Sequence, residues 1–600
     1  MKVTIVGAGP AGLYLAILLK RNDASHDITV LERNAPDATF GWGVVFSEET
    51  LGELKDADHR TYIDITDTFA RWDRIDIHFG GRTMHSRGHA FSAISRKLLL
   101  AILQRRCRDL DIDLRFGVEV DDPVSLAADT DLLVGADGAN SIVRNSAAIH
   151  FGASVQPIGS KYVWFGTDLV LDAFTFIFKD TDYGLIHVHA YPFDEATSTW
   201  IVECPEDTWR RAGLDRMSES ESLAFCEELF RAELSGHRLM SNRSIWLDFL
   251  EVRCASWHDG NVVLLGDAAH TAHFSIGSGT KLAMEDSIAL ANAFVRRGDI
   301  ERALVDYELE RQPLVERFQE AARDSAGHFQ RVERHTHLPP LQFALNLLNR
   351  SGRISHTNLM LRDPEFVRSL DGWFASHAEG GTARPGSFAP PPMFARLRIG
   401  SLELPNRIVR TGTSHGDVVA AARSGAGLVL TGFTAVSADG RIAPDDPVID
   451  HETDVTPWLS LVDAVHSDGA RVAIQLGHAG RRGATQPRTR GVDLPLRSGA
   501  WQLLSASPVP YTPMSARPKA ADEADMERIR RSFAAATERC VAAGTDAVEL
   551  NFAQGYLVGS FLSSLTNRRT DDFGGSLDAR LRFPLSVFGA VRAAAGSHVV

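Results

Sequence analysis

The chain has 600 residues, of which 44% are hydrophobic and 23% are charged, as in ordinary soluble globular proteins. Its 63 Lys and Arg residues against 77 Asp and Glu residues give a formal net charge of −14. This balance argues against nucleic acid as a partner, because phosphate binding requires a basic face. The length exceeds that of one core and predicts about four domain-sized units.

Five scattered cysteines without a CxxC pair indicate reduced thiols rather than a disulfide framework or a zinc site. The N-terminus enters a strand pattern directly, without the basic and small-residue segments of a secretory signal. No apolar run reaches membrane-spanning length. We therefore expect a soluble, cytoplasmic protein without a membrane partner.

The first elements in chain order predict a βαβ unit. A buried strand at 2–7, an apolar helix at 11–20 and a second strand at 28–33 follow one another. SAISRKLLLAILQRRCRD then predicts a long helix, and DLLVGADG predicts a strand that ends in a glycine turn. We expect a Rossmann-like nucleotide-binding domain at about 1–160 and 250–300.

The middle of the chain changes to period-two alternation of aromatic and β-branched residues. At about 160–250 this pattern predicts an antiparallel sheet that forms the wall of a substrate chamber. Helical patterns dominate 300–375. Gly, Pro, Ser and Ala are concentrated at 376–392, which predicts a linker between a domain at 1–375 and a second one at 393–600.

Strand and helix patterns alternate after the linker. RIVRTG, GLVLTGF, RVAIQLGHAG, DAVELNF and HVV are the strand candidates, and their alternation with helices predicts a (β/α)8 barrel. Such a barrel needs eight strands and typically about 250 residues. The overall fold class is therefore α/β, with a C-terminal barrel that we expect to be truncated.

A glycine motif, GxGxxG, follows the first strand and opens the first helix. Gly7 would make the tight turn, Gly9 would let the backbone approach a pyrophosphate, and Gly12 would let helix and strand pack closely. The helix N-terminus would face the phosphate charge. Glu32 ends the second strand, where a carboxylate would hold ribose hydroxyls. The nucleotide contacts predicted here are Gly7, Gly9, Ala11, Gly12, Glu32 and Arg33.

Two later segments, VGADGANSIVR and LLGDAAH, resemble the paired motifs of the single-component FAD-dependent aromatic hydroxylases, over about 1–375. In that family the first Asp-Gly pair lies near the pyrophosphate, and the Asp of the second motif binds the ribityl chain. The resemblance places Asp137, Gly138 and Asp267 at FAD, with Arg96 at the flavin phosphate. It also places the loop after LLGDAAH at the isoalloxazine, through Gly277, Gly279, Thr280 and Lys281.

The resemblance implies that NADH or NADPH reduces FAD, that O2 then oxygenates an electron-rich ring, and that the protein mainly excludes water and orients this ring. His270 and His273 are interpreted as packing or hydrogen-bonding groups, and no metal site is predicted. HTAHFSIGSGTKL and GWGVVFSEETL are most similar to the branch that acts on aryl-CoA thioesters, and also to an indole-hydroxylating branch.

The C-terminal segments VAIQLGHAGRRG and LSSLTNRRTDDFGGSLDAR resemble the Old Yellow Enzyme family of FMN-dependent ene-reductases. The resemblance implies FMN contacts from Thr411, Gly412 and Gln475. Asn551 and Gln554 would clamp a substrate carbonyl oxygen, and Tyr556 would deliver a proton. Gln554 stands where that family has His or Asn. Because FMN phosphate is normally held after strands seven and eight, the truncated barrel is expected to bind FMN weakly.

The combination of both modules resembles the bifunctional aminobenzoyl-CoA (anthraniloyl-CoA) monooxygenase/reductases. It implies hydroxylation of an aryl-CoA thioester at ring position 5, followed by reduction of the dearomatised enone. The alternatives are a salicyloyl-CoA 5-hydroxylase with a fused reductase, an FAD hydroxylase whose C-terminal region serves assembly, for instance as a homodimer, and an oxidase that makes peroxide. A CoA moiety would need basic residues near the mouth of the cleft, and the candidates, each of which has the alternative interpretation of a solvated surface charge, are Arg71, Arg74, Arg82 and Lys161.

Overall fold

The structure, a computed structural model, describes residues 1–39, 41–378, 391–597 and 599–600. The chain divides into two units, Met1–Leu370 and Asp371–Val600. Residues 379–390 of the predicted linker lie outside the described residues. None of the described helices is both long enough and apolar enough to cross a bilayer.

The nucleotide-binding part of the first unit is a six-stranded sheet. Its strand Lys2–Val6 is buried except at Lys2 and pairs in parallel with a neighbour on each side, so that Val3 meets both Ile28 and Leu132. The helix Pro10–Asn22 follows this strand directly and buries Pro10 to Leu19. In spatial order the strands are His258–Asp259, Val262–Leu264, Leu132–Gly135, Lys2–Val6, Asp27–Glu32 and Asp113–Phe116.

An eight-stranded, mostly antiparallel sheet forms the second layer, as the period-two alternation predicts. Strand Phe174–Thr181 also pairs in parallel with Ile75–Phe79 from the earlier part of the chain. In spatial order the strands are Leu239–Met240, Ser154–Thr167, Ser198–Pro205, Gly184–Pro192, Phe174–Thr181, Ile75–Phe79 and Arg82–Ser86, with Leu247–Arg253 also paired to Ser154–Thr167.

The helix predicted to begin in SAIS begins later, at Arg96. Its first four residues belong to the strand Phe91–Ser95, which pairs with Gly43–Ser47 and Ala70–Trp72 in a three-stranded sheet. The β-branched and aromatic residues of FSAIS fit this pleated surface better than a helix. The prediction was therefore wrong for those four residues and confirmed for Arg96–Asp109.

Helices cover the first unit, and Gly279–Arg297 packs against Pro10–Asn22 within its largest hydrophobic core. The longest helix, Ile300–Gln330, is tied to the sheet by the Tyr307 hydroxyl, which donates to the Leu264 carbonyl at 3.2 Å. The other helices are Glu48–Ala57, His59–Thr66, Arg96–Asp109, Pro123–Ala128, Ile142–Ser146, Ala148–Phe151, Glu206–Arg211, Glu219–Leu229, Arg231–Leu234, Pro340–Leu348, His356–Arg362 and Pro364–Ala378, the last of which continues into the second unit.

The second unit is built on a parallel sheet whose central strand is Arg471–Gly477. This strand pairs with Leu428–Leu430 and Thr434–Ala435 on one side and with Ala547–Leu550 on the other. Val409–Thr411 completes the sheet beside Leu428–Leu430. The helices are His415–Arg423, Thr456–Ser467, Glu523–Ala542, Leu557–Leu562 and Leu577–Ala595.

Four of the five predicted barrel strands are present in this sheet. His598 of the fifth candidate, HVV, lies outside the described residues. The Val600 carbonyl accepts a hydrogen bond from the Val548 amide at 3.0 Å, and the Val600 amide donates to the Asp546 carbonyl at 3.2 Å. Two short strand pairs flank the sheet: Leu397–Ile399 with Leu402–Leu404, and Leu504–Ser505 with Lys519–Ala520.

Candidate active sites

The glycine turn after the first strand is crowded at two of its glycines and open at the third. A Cβ at Gly7, where φ is +106°, would lie 2.3 Å from the Ala136 carbonyl oxygen. A Cβ at Gly12 would lie 2.2 Å from the Gly7 carbonyl oxygen. A Cβ at Gly9 would meet nothing within 4 Å. This open side at a helix N-terminus has room for a phosphate group.

Glu32 lies beside this turn at the end of its strand. Its carboxylate accepts hydrogen bonds from the Ala8 amide at 3.0 Å and from the Asn34 side chain at 2.7 Å. These bonds fix the carboxylate at the edge of the open space, where ribose hydroxyls are expected. Arg33 is exposed next to it, and Ala11 is buried in the helix behind the turn.

The two later motifs of the nucleotide-binding domain are joined by a buried arginine. Arg144 donates to the carbonyl of Ala139 at 2.7 Å and to that of Ala268 at 3.0 Å. The Asp137 carboxylate caps the helix that follows it with a 2.7 Å bond from a backbone amide. Gly138 has a φ of +83° and open space where a Cβ would be. Arg144 therefore holds both predicted cofactor loops in one arrangement.

Asp267 lies exposed in the turn Gly266–Ala268, as its assignment to a ligand contact requires. Arg96 begins its helix, and its backbone amide donates to the Trp42 carbonyl at 2.8 Å. Burial lowers the pKa of the Arg96 guanidinium, and the Asp267 carboxylate opposes that shift. The two predicted flavin contacts thus influence each other across the site.

A buried ionic network lies behind the flavin loop. His270 Nε2 is 2.7 Å from Asp286 Oδ2, and the other Asp286 oxygen accepts from Arg311 Nε at 2.8 Å. Burial alone would raise the pKa of Asp286, but His270 and Arg311 hold it below its usual value. Arg311 also bonds Glu285 at 3.1 Å, and Lys281 Nζ lies 3.6 Å from the same carboxylate. In this structure His270 is a hydrogen-bonding group.

A cavity of about 510 Å³ connects the flavin loop to the antiparallel sheet. Gly277, with a φ of +63°, lies on the loop side. Phe91, Phe174 and Phe176 form an aromatic wall on the sheet side. Four cationic side chains also line the cavity: Lys281, Arg350, Arg353 and Arg362.

The four basic residues singled out for CoA binding from the sequence are not among the residues that line this cavity in the described chain. Arg74 forms 2.7 Å contacts with both Asp76 and Asp172, and Lys161 lies 2.7 Å from Asp248. Asp76 lies two positions from Arg74, whereas Asp172 and Asp248 come from distant parts of the chain, so only the fold shows those two pairings. CoA binding by Arg71, Arg74, Arg82 and Lys161 stays a prediction, and the structure gives Arg74 and Lys161 carboxylate partners within the fold.

A cluster of ionisable side chains is buried at the sheet, and the sequence pointed only to His273 among its members. His187 Nε2 and His189 Nε2 lie 3.3 and 3.1 Å from Glu203 Oε2, and His273 Nε2 lies 4.0 Å from Oε1. Burial lowers the pKa of His189 and of His273 to about 4, so both rings are neutral at pH 7. His187, His189 and Glu203 place ligand atoms within 4.8 Å of one another, close enough to hold a metal ion.

The sequence feature that indicates this cluster is the spacing of the two histidines in GLIHVHAYPF. Period-two spacing puts His187 and His189 on one face of a strand. The antiparallel register then sets His187 opposite Glu203 on the next strand. Only strand pairing brings the acidic residue into reach, which is why the sequence alone did not reveal the cluster.

In the second unit, the predicted FMN contacts lie at the carboxyl ends of the parallel strands, where βα barrels place catalytic groups. The Asn551 side chain donates to Gln475 Oε1 at 3.2 Å, and Gln475 Nε2 donates to Glu549 at 2.9 Å. Thr411 is exposed at its strand end. A Cβ at Gly412 would come within 2.7 Å of the following helix.

Gln554 and Tyr556 occupy different surroundings. Gln554 is exposed, has a left-handed φ of +58° and lines a cavity of about 420 Å³. Its carbonyl accepts a 2.8 Å bond from Arg482. Tyr556 is buried with its ring 5.1 Å from that of Phe433, and burial raises the pKa of its hydroxyl. Asn551 therefore faces Gln475, whereas Gln554 borders the cavity.

The residues present fit both flavins. The space at Gly9 and Gly138 leaves room for the diphosphate of FAD beside Glu32. In the second unit, amide and hydroxyl groups at the strand ends suit the hydrogen-bonding edge of FMN; these groups belong to Thr411 and Gln475.

Comparison with known families identifies the domains in which the two sites lie. Residues 119–322 match an FAD binding domain, and residues 5–42 match an NAD(P)-binding Rossmann-like domain. Residues 392–600 match the NADH:flavin oxidoreductase / NADH oxidase family.

A salicyloyl-CoA 5-hydroxylase of Streptomyces sp is 40% identical over 458 residues, which are 74% of this chain and 85% of that protein. The chain belongs to the salicyloyl-CoA 5-hydroxylase family. A 3-hydroxy-4-methyl-anthranilyl-[aryl-carrier protein] 5-monooxygenase of Streptosporangium sibiricum is 36% identical, covering 60% of this chain and 97% of the relative. Protodeoxyviolaceinate monooxygenase of Chromobacterium violaceum is 33% identical, covering 57% and 92%.

This member of the salicyloyl-CoA 5-hydroxylase family is a flavin-dependent monooxygenase joined to an NADH:flavin oxidoreductase domain. The predictions of the enzyme class and of FAD, FMN and NAD(P)H as cofactors are confirmed. The roles of the individual site residues, the domain limits and the aminobenzoyl substrate stay predictions.

Proposed function

We propose that the chain hydroxylates the CoA thioester of an aminobenzoate at ring position 5 and then reduces the dearomatised enone. The cavity between the flavin loop and the aromatic wall carries this proposal, because it is a chamber for a flat ring next to the predicted FAD contacts. The names of two relatives support the position of hydroxylation and the class of substrate. One is a salicyloyl-CoA 5-hydroxylase, and the other is a 5-monooxygenase of an anthranilyl group on an aryl-carrier protein.

Bound FAD, once reduced by NAD(P)H, would supply the activated oxygen, so that one atom of O2 enters the ring and the other leaves as water. The protein's part is to bind and orient the ring. Phe91, Phe174 and Phe176 would stack against it and exclude water. The amino substituent donates electrons to the ring, which makes an acid–base side chain at the reacting carbon unnecessary.

Bound FMN would supply a hydride in the second step. The Asn551 and Gln554 side-chain amides would donate hydrogen bonds to the substrate carbonyl and so stabilise the negative charge that develops there. Tyr556 would give a proton to the carbon opposite the hydride. The hydroxyl is protonated at neutral pH, as a proton donor requires, because burial raises a pKa whose ordinary value is already about 10.

A salicyloyl-CoA 5-hydroxylase with a fused reductase is the second candidate, favoured by the 40% identity to an enzyme of that name. A hydroxyl group would then replace the amino group as the electron donor. An FAD hydroxylase whose second unit only serves assembly is the third candidate.

The test supplies purified enzyme with NADH, O2 and either 2-aminobenzoyl-CoA or salicyloyl-CoA. We expect the aminobenzoyl product to gain one oxygen atom, followed by two further hydrogens, in mass spectra. Turnover of salicyloyl-CoA alone would select the second candidate. The flavin released by denaturation tests the third candidate. If the protein contains FAD without FMN and the product gains only oxygen, the second unit does not carry out the proposed reduction.

A further inference from the structure

Two arginines that line the cavity of the first unit have no carboxylate partner among the described residues. Arg353 and Arg362 are both exposed, and neither forms an ion pair in the part of the chain that the structure describes. Other arginines of this unit do, such as Arg74 with Asp76 at 2.7 Å and Arg297 with Asp306 at 2.6 Å. Two unpaired cations at one opening are available to an anionic ligand.

Both arginines are held near the cavity wall. Arg353 precedes the helix His356–Arg362, and its guanidinium lies 4.6 Å over the ring of Phe318. Arg362 ends that helix. Burial lowers the pKa of His89 to about 4, with the charge of Arg362 as the next contribution, and His89 lines the same cavity. The charge of Arg362 therefore acts at the cavity surface.

The segment that carries these arginines is fixed against the opposite wall. The Arg87 amide donates to Asp363 Oδ2 at 2.6 Å, while Asp363 Oδ1 accepts from the Phe366 amide at 3.0 Å. Gly88 has a φ of +72°, and a Cβ there would lie 2.6 Å from the Arg362 carbonyl oxygen. This close backbone contact sets the position of the helix end that carries Arg362.

Arg350, a third arginine at the cavity, has a different role. Its Nη1 donates to the Leu347 carbonyl at 2.9 Å, its Nη2 to the Ser275 carbonyl at 2.7 Å and its Nε to Ser325 Oγ at 2.9 Å. Every nitrogen of this guanidinium is thus already bonded within the fold. Arg353 and Arg362 are the arginines that remain for a ligand among the described lining residues.

We propose that Arg353 and Arg362 bind the phosphate groups of the CoA moiety, with the aryl ring at the aromatic wall and the pantetheine chain between them. This assignment rests on the proposed function. A chain with a net charge of −14 repels a polyanion unless cations lie at the binding site. Guanidinium groups match phosphate oxygens in geometry as well as in charge.

The test compares two substrates with the same ring: the aryl-CoA thioester and the aryl-pantetheine thioester, which lacks the phosphates. We expect Arg353→Ala and Arg362→Ala each to raise KM for the CoA thioester about 3–10-fold, and the double variant to raise it further. KM for the pantetheine thioester and for NADH should stay at wild-type values. Added salt should raise the wild-type KM for the CoA thioester only.

Arg82→Ala is the matched control, since Arg82 is an exposed arginine of the same unit outside the described cavity lining. It should change neither KM. An equal rise for both thioesters in the double variant would overturn the assignment, because it would show a structural role. A higher KM for NADH alone would also overturn the assignment. So would a higher KM for a carrier-protein thioester with an unchanged KM for the CoA thioester, since in both cases the arginines would hold another ligand.

Calorimetry with free CoA and the FAD-loaded protein separates this assignment from the proposed reaction. Suppose that no thioester is hydroxylated but wild type binds CoA at least about tenfold more tightly than the double variant. The assignment of Arg353 and Arg362 to CoA is then supported, and the proposed hydroxylation is contradicted. If hydroxylation proceeds while CoA binds both proteins equally, the reaction stands and the subsite fails.

Discussion

At Gly9 the space where a Cβ would be is open, whereas at Gly7 and Gly12 it is occupied by backbone atoms. We expect Gly9→Ala to leave the thermal stability of the FAD-free protein unchanged, because a Cβ there meets nothing within 4 Å. FAD affinity should nevertheless fall about tenfold or more, since the Cβ would occupy the space through which the backbone approaches the pyrophosphate. Flavin fluorescence titration measures this change.

Gly52→Ala is the control for that substitution, because Gly52 is exposed in its helix and a Cβ there also meets nothing within 4 Å. It should leave FAD content unchanged and raise the free energy of unfolding by at most about 1 kcal/mol, because Ala is a better helix former than Gly. Wild-type FAD affinity in Gly9→Ala would show that the diphosphate does not lie at this turn.

Tyr556 offers a test of the second reaction alone. We expect Tyr556→Phe to slow enone reduction about 100-fold, because the variant lacks the proton donor, while ring hydroxylation keeps its wild-type rate. Tyr511→Phe is a matched control: its ring lies 4.2 Å from the guanidinium of Arg482, which also lies 5.5 Å over Tyr556. Single-turnover product analysis distinguishes the steps. Unchanged enone reduction in Tyr556→Phe would assign the proton to another group.

At the residue scale, sequence reasoning succeeds where the requirement is local. The glycine turn and the strand end at Glu32 were predictable because both belong to one βαβ unit with a recognisable motif and spacing, and Asn34 bonds Glu32 within the same turn. It fails for Arg74, whose second partner Asp172 lies 98 positions away. Arg353 and Arg362 carried no motif, and only the fold brings them to the cavity.

At the scale of elements, the helix Gly279–Arg297 depends on its buried ionic network. We expect Asp286→Asn to lower the free energy of unfolding by about 1.5–3 kcal/mol, because it removes one of the two carboxylates that pair with the buried charge of Arg311 and leaves only Glu285. Asp306→Asn, which breaks the exposed pair with Arg297, should cost less than about 1 kcal/mol. Thermal melting of the two variants gives the comparison. Equal melting temperatures would show that the network contributes little.

Element types followed well from periodicity, since alternation and continuous apolar runs reflect burial directly. The strand Phe91–Ser95 was the exception, because its residues run without a break into a helix and only pairing with Gly43–Ser47 separates the two. The barrel strands were predictable for the opposite reason: each is bounded by glycine or polar residues at its carboxyl end, as RIVRTG shows.

At the scale of the whole molecule, three buried histidines predict a loss of stability in acid. Burial lowers the pKa of His89, His189 and His273 to about 4, from an ordinary value of 6.5. The unfolded chain therefore takes up more protons than the folded chain between about pH 6.5 and 4, so stability falls as pH falls through this window. At pH 5 the loss is on the order of 2 kcal/mol for each ring.

Melting temperatures at pH 7, 6 and 5 check this prediction. His89→Gln should be less stable than wild type at pH 7 and should lose less stability between pH 7 and pH 5, because one of the three rings no longer titrates. A melting temperature that stays constant from pH 7 to pH 5 would contradict the assignment of neutral rings.

Because the two units are parts of one polypeptide, every translated molecule carries one oxygenating and one reducing module. Their stoichiometry is thus independent of promoter strength and of unequal turnover of separate subunits. A cell that makes this protein therefore cannot accumulate the monooxygenase unit in excess of the NADH:flavin oxidoreductase unit.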